Sequence, residues 1–249
     1  MTAVQTRIAQ VLQSDTLVRV GHRGAAAIAP ENTISAIAAA LEFGMDMVEF
    51  DVARGSDGRV VLAHDVEDIG EDAPTLEEAL TFLSAEAPPT TVLDLDLKVG
   101  GVESEIVQVL ERFALVDRTI VCALHASWLQ AVRRVEPRVV VGLSYPQDRA
   151  GIASSGRYEP LVRAGTSVMR RLLPRRVVAM ARRAGASAMM LHHSVISAAV
   201  VERCRSNGLP VFAWTVDDPS VLRDVIDAGV HGVITNDPRT LSGHELNKK

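Results

Sequence analysis

Cysteine is nearly absent. Of 249 residues only Cys122 and Cys204 carry a thiol, and their separation suits neither a metal motif nor a redox pair. A disulfide framework is therefore excluded, and a reducing compartment is the expectation. No apolar run approaches the roughly 18 residues of a membrane span. The opening MTAVQTRIAQVLQSD lacks a basic start followed by an apolar stretch, so the expected location is the cytoplasm. Internal repeats and low-complexity tracts are missing. So is a basic excess: 26 Lys and Arg stand against 31 Asp and Glu, a formal net charge of −5, which argues against a nucleic-acid partner.

What remains is an ordinary globular composition, 47% hydrophobic and 23% charged, long enough for one large domain. Its charge is uneven. Residues 1–100 hold 17 acids and 6 bases, the remainder 14 and 20, so a cation site belongs in the first part.

From residue 17 onward, short runs rich in Val, Ile and Leu alternate with longer segments of helical period, the signature of repeated βα units. The strands are predicted at 17–23, 47–53, 91–98, 119–125, 139–145, 187–193, 210–216 and 231–236. Eight strands fit a closed parallel (β/α)8 barrel. Helix signals separate them. Asn32, Thr33 and Ser35 open an Ala-rich helix ending at Gly44, Thr75 and Glu78 form a capping box, and Pro219 starts a helix ending at Gly229. SDGR at 56–59 reads as a hairpin turn that folds the chain back and delivers His64 near the end of the second strand. Ile8, Val11 and Leu12 suit a short helix closing the bottom of the domain. The expected organisation is a helical segment at 1–16, a catalytic barrel at 17–242 and a tail at 243–249.

Side chains alternate across a strand, so Glu49 and Asp51 share one face and Val48 and Phe50 the other. Asp94, Asp96 and Lys98 share a face in the same way, opposite Leu93, Leu95 and Leu97. Buried charges cost several kcal/mol unless paired or metal-bound. Glu49, Asp51 and Asp96 converging from adjacent strands would make an all-oxygen site for one divalent ion, Mg²⁺ or Ca²⁺, at the mouth where barrel enzymes do their chemistry. The bland alternative is an ion-pair network with Arg23 and Lys98. Against it, GHRG at 21–24 ends the first strand and His64 returns to the same rim. Two imidazoles, three carboxylates and two cations suit a phosphodiester. Metal, Arg23 and Lys98 would neutralise nonbridging oxygens, and His22 and His64 would serve as base and acid in an order the residues leave open.

GHRG (21–24), PENT (30–33), EFD (49–51) and HD (64–65), with DLK (96–98), AWTVDD (213–218) and GVHGVITNDP (229–238) further on, resemble the glycerophosphodiester phosphodiesterase family over residues 17–240. The resemblance implies a TIM barrel, His22 and His64 as catalytic residues, Glu49, Asp51 and Asp96 as metal ligands, and Arg23 and Lys98 facing phosphate, with Trp214 lining the substrate site. It implies hydrolysis of a glycerophosphodiester, a small-molecule substrate, to an alcohol and glycerol 3-phosphate, with attack by a substrate hydroxyl giving a cyclic phosphate first. Three features depart from the pattern. Asp96 stands where the family usually has Glu, and Asn236 where Asp is common. The family's L-x-R-T-T-N-G element and inserted cap subdomain are missing, since only ten residues, five of them acidic, separate His64 from the next helix. The barrel is expected to be a small variant with an open mouth.

That openness keeps two other readings in play. One is a lysophospholipase D or phosphodiester lyase at a membrane surface. The segment 161–186 holds seven arginines and no acid and could touch anionic lipid as a basic amphipathic helix. Pro174 predicts that this helix is interrupted. The other is a catalytically inactive barrel that binds phosphorylated ligands. His125, His192 and His193 stand at the ends of the fourth and sixth strands, where either one of them reaches the mouth or all are ordinary rim histidines.

Overall fold

The computed structural model describes residues 7–65, 67, 69–70, 72–146 and 159–241, the side chains of 159–164 excepted. Residues 1–6 of the expected N-terminal segment, the last residue of the expected barrel at 242 and the whole expected tail at 243–249 lie outside the described residues. Eight parallel strands form a closed barrel: β1 (Val18–Gly21), β2 (Met47–Arg54), β4 (Val92–Leu97), β5 (Thr119–Ala123), β6 (Val140–Tyr145), β7 (Ala188–His192), β8 (Val211–Trp214) and β9 (Gly232–Thr235). They neighbour one another in that order, and β9 pairs back onto β1. All eight expected strands are present. The ninth, β3 (Val60–Leu62), runs antiparallel to β2 through the expected hairpin, closed by a 2.8 Å bond from Gly55 N–H to the Arg59 carbonyl.

The helices are α1 (Arg7–Leu12), α2 (Ile34–Glu42), α3 (Leu76–Glu86), α4 (Glu103–Arg112), α5 (Ala126–Val135), α6 (Glu159–Ala184), α7 (Ala198–Arg205) and α8 (Pro219–Asp227). Local chemistry sets their ends. Thr33 caps α2, Thr75 and Glu78 complete both halves of a capping box on α3, and Asp218 caps α8 with Pro219 in its first turn.

The alternation of side chains sorts the interior into two apolar bodies. Val48, Phe50, Leu93, Leu95 and their counterparts pack outward against the helices. Val20, Met47, Val92, Ile120, Met190, Phe212 and Ile234 fill the barrel, and Ile8 and Val11 of α1 join them from below. The N-terminal helix thus closes the barrel floor, as expected.

One expectation fails. α6 runs through Pro174 as a single helix. Proline removes one N–H and costs about 3 kcal/mol in a helix interior. Met169 and Leu173 before it and Val177, Val178 and Ala181 after it pack on the core. At about 1.5–3 kcal/mol for each large side chain buried, tertiary packing outweighs the break.

Candidate active site

The parity argument places Glu49 and Asp51 of β2 and Asp94 and Asp96 of β4 on the inner face. The register makes Glu49 the neighbour of Asp94 and Asp51 the neighbour of Asp96, so four carboxylates stand on two rungs at the C-terminal end of the barrel. His22, Arg23, Glu49, His64, Asp94, Asp96, Lys98 and Trp214 all line one cavity of about 140 Å³, with Cys122 and Ser144 deeper in. A groove of about 700 Å³ at the opposite end, near Asp15, Arg205 and His231, contains none of these residues.

The turn after β1 sets the upper rung. Arg23 and Gly24 have positive φ, 50° and 82°, a region that suits glycine and strains arginine. A Cβ on Gly24 would lie 2.4 Å from the Ala36 backbone, so glycine lets this turn close against α2. The turn aims the Arg23 backbone N–H at Glu49 Oε2, 2.7 Å away, and its guanidinium Nε toward Asp51 Oδ2 at 3.0 Å. Asn32, also at positive φ (58°), donates from Nδ2 to Asp51 Oδ2 at 2.9 Å and accepts from the Asp51 backbone at 3.0 Å. Lys98 Nζ lies 2.8 Å from Asp51 Oδ1 and 2.5 Å from Asp96 Oδ2. Burial acts to raise the Asp51 pKa, but Lys98, Arg23 and Asn32 together hold it below the usual carboxylate range.

The ion-pair network weighed from the sequence therefore exists, and it is incomplete. Four carboxylates face two cations. Asp94 Oδ1 and Asp96 Oδ1 are buried without a hydrogen-bond partner. Burial, then Asp51 and Asp94, push Glu49 well above its ordinary range, and burial takes Asp94 from 3.8 to about 7 despite a hydrogen bond from Cys122. The pocket lacks positive charge. Glu49, Asp51 and Asp96 each offer an oxygen within 4.8 Å of the others, a spacing that oxygen–metal distances of about 2.0–2.6 Å can bridge. The donor set fits one hard divalent cation.

Both histidines have a fixed ring face. His22 Nδ1 is 2.7 Å from Asn236 Oδ1. The Asn236 amide is oriented by Asp217, whose carboxylate can only accept: Asn236 Nδ2 and backbone N–H donate to it at 2.7 and 2.8 Å. His22 Nδ1 must then carry the proton, and Nε2, 3.9 Å from Glu49 Oε2, presents a lone pair. Burial lowers the His22 pKa, partly offset by the Asn236 bond, which favours the neutral ring. His64, more exposed, bonds Asp65 Oδ2 through Nδ1 at 2.8 Å, leaving Nε2 for the cavity.

All the residues expected from the sequence converge here except in one respect. His125, His192 and His193 are absent from the cavity lining. His192 instead packs edge-on against Trp214, ring centroids 5.0 Å apart, and His125 packs on Trp128 at 4.3 Å. Asn32, Asp65, Asp217 and Asn236 all lie in the motifs quoted from the sequence, but nothing there assigned them an orienting role, and Asp94 was placed on the inner face by its parity with Asp96 without being counted as a ligand. Trp214 lines the cavity with a buried, unpartnered indole N–H.

The model of the glycerophosphoryl diester phosphodiesterase family matches residues 22–79 and 69–240. A glycerophosphodiester phosphodiesterase of Caldanaerobacter subterraneus subsp. tengcongensis is 28% identical over 262 residues, covering 91% of this chain and 96% of its own. The crystal structure of a glycerophosphodiester phosphodiesterase from Parabacteroides distasonis superposes with a TM-score of 0.71 at 23% identity, covering 92% of this chain and 96% of that one. An Oleispira antarctica phosphodiesterase, solved with its product sn-glycerol 3-phosphate, gives 0.69 at 20% identity over 92% of this chain and 97% of that one. At these identities the two structures establish the shared fold.

Proposed function

Because the chain belongs to the glycerophosphoryl diester phosphodiesterase family, a family of phosphoric diester hydrolases, we propose that it cleaves a glycerophosphodiester to an alcohol and sn-glycerol 3-phosphate, using His22 and His64 as its proton-transfer pair. The observation that carries this reading is the convergence of both imidazoles, Glu49, Asp94, Asp96 and two cations on one cavity, with an oxygen of Asp51 within 4.8 Å of those of Glu49 and Asp96.

Glu49, Asp51 and Asp96 would hold one divalent ion, Mg²⁺ or Ca²⁺, which when bound supplies Lewis-acid neutralisation of a nonbridging phosphate oxygen. Arg23 and Lys98 face the same space and stabilise charge on the remaining oxygens. Once phosphate enters, each guanidinium or ammonium exchanges part of its carboxylate contact for the substrate. His22 Nε2 takes the proton of the attacking hydroxyl, because Asn236 fixes the proton on Nδ1. His64, held by Asp65 at the open side, returns a proton to the departing alkoxide. The attacking hydroxyl is the substrate's own in the cyclic route or water in the direct one, and His22 serves either. Trp214 closes one wall and offers its indole N–H to the substrate. The catalytic unit in this reading is the barrel at 17–242.

The test is direct. Chelator-stripped protein should be inactive on glycerophosphocholine and glycerophosphoethanolamine and regain activity with Mg²⁺, Ca²⁺ or Mn²⁺ added separately. Phosphorus NMR distinguishes glycerol 3-phosphate from a cyclic ester, hence hydrolase from lyase. His22→Ala and His64→Ala should each lose about 10²- to 10⁴-fold in kcat. Full activity in either variant would overturn the role of that imidazole in proton transfer, and no hydrolysis by the metal-loaded wild type would return the barrel to the inactive, ligand-binding reading.

A further inference from the structure

α6 is out of proportion to the rest of the barrel. It has 26 residues, whereas α5 has 10 and α7 has 8. At 1.5 Å per residue it is about 39 Å long. Among its described side chains the buried ones run from Leu173 to Ala184, a length comparable to its neighbours, and none from 165 to 172 is buried. α6 follows β6 and leads into β7, so its N-terminal half lies toward the C-terminal end of the strands. That is the end that carries the cavity, and the 3₁₀ turn His193–Val195 packs against α6 there. The helix therefore projects past its neighbours at the mouth end of the barrel.

The outer face of the helix is basic along its described length. Arg170, Arg171, Arg175, Arg176, Arg182 and Arg183 are exposed, and none is paired with a described carboxylate. At 3.6 residues per turn, Arg171, Arg175 and Arg182 fall on one flank of a strip centred on Val168, Leu172 and Ala179, and Arg176 and Arg183 on the other. Val168 is 55% exposed. Across the mouth, Asp65, Glu67 and Asp72 line the connection from β3 to α3, so the rim is basic on one side and acidic on the other.

We propose that the arginine-rich face of α6 docks the enzyme on an anionic lipid bilayer, tilted so that the α6 side of the mouth meets the headgroups and the acidic side stays in water. Charge complementarity selects the partner, and the exposed Val168 with the half-buried Leu172 between arginines favours an interface with acyl chains beneath it over a purely polar polyanion. The benefit to catalysis, access to diesters still attached to an acyl chain, rests on the function proposed above; the docking does not.

Flotation of the full chain with phosphatidylcholine vesicles, with and without phosphatidylglycerol, tests it. Binding should require phosphatidylglycerol and weaken with salt. Each arginine near such a surface contributes about fivefold in partition, so the quadruple variant R170Q/R171Q/R175Q/R176Q, in which Arg170 lies off the docking face, should bind about 10²-fold less. R182Q/R183Q, at the far end of the helix, should lose less. Hydrolysis of glycerophosphocholine should be unchanged in both. No binding at low salt, equal binding by the quadruple variant, or displacement from vesicles by an RNA oligonucleotide at lower concentration than the lipid would each overturn the proposal. Loss of diesterase activity in His22→Ala with vesicle binding retained separates the two readings.

Discussion

Replacing Asp94 by Asn removes the least compensated charge in the barrel while keeping its shape and an acceptor for the Cys122 thiol. Asp94 is 1% exposed, and burial raises its pKa from 3.8 to about 7. A carboxyl whose folded pKa is raised keeps its proton when folded and loses it when unfolded. Stability therefore falls as pH climbs from about 4 to about 7, by about 1.4 kcal/mol per unit, and is flat beyond. The total is about 4 kcal/mol, of which roughly 3 kcal/mol develops between pH 5 and pH 8. Denaturant titrations of chelated wild type and D94N at those two pH values measure it: D94N should gain about 2–3 kcal/mol on wild type over the interval. Saturating Mg²⁺ or Ca²⁺ should narrow the gap, because a dication beside Glu49 and Asp96 favours ionised Asp94. A gap independent of pH would refute both the buried, uncompensated carboxylate and the charge-deficient pocket built on it.

Two further outcomes probe other parts of the structure. N236A frees the His22 ring and should lower kcat about 10- to 100-fold with little change in KM; because burial lowers the His22 pKa, the acid limb of kcat/KM in wild type should lie below pH 6.5, activity falling as the ring protonates. Thr75→Ala removes the hydroxyl that accepts from the Glu78 N–H in the α3 capping box and should cost about 1 kcal/mol, read as a lower denaturation midpoint at unchanged kcat.

The amino-acid order by itself determined the eight strands, the hairpin after β2 and the helix caps. Each follows from short-range rules: alternation of two along a strand, Gly at a left-handed turn, a hydroxyl or carboxylate before a first helical turn. It determined the inner face of Glu49, Asp51, Asp94 and Asp96 for the same reason, since parity is a local property. Family resemblance, carried by GHRG, EFD and HD, named the chemistry. The continuity of α6 through Pro174 was not legible, because the apolar contacts that override proline come from the barrel wall. Nor was the partner of any polar group. Asn236 is 214 residues from His22, and its amide is turned by Asp217 on a different connection. His192 could be placed on Trp214 rather than in the mouth only once β7 and β8 were in register. Hydrogen bonds and charge balance depend on distances between atoms remote in the chain, and closing the barrel is what sets those distances.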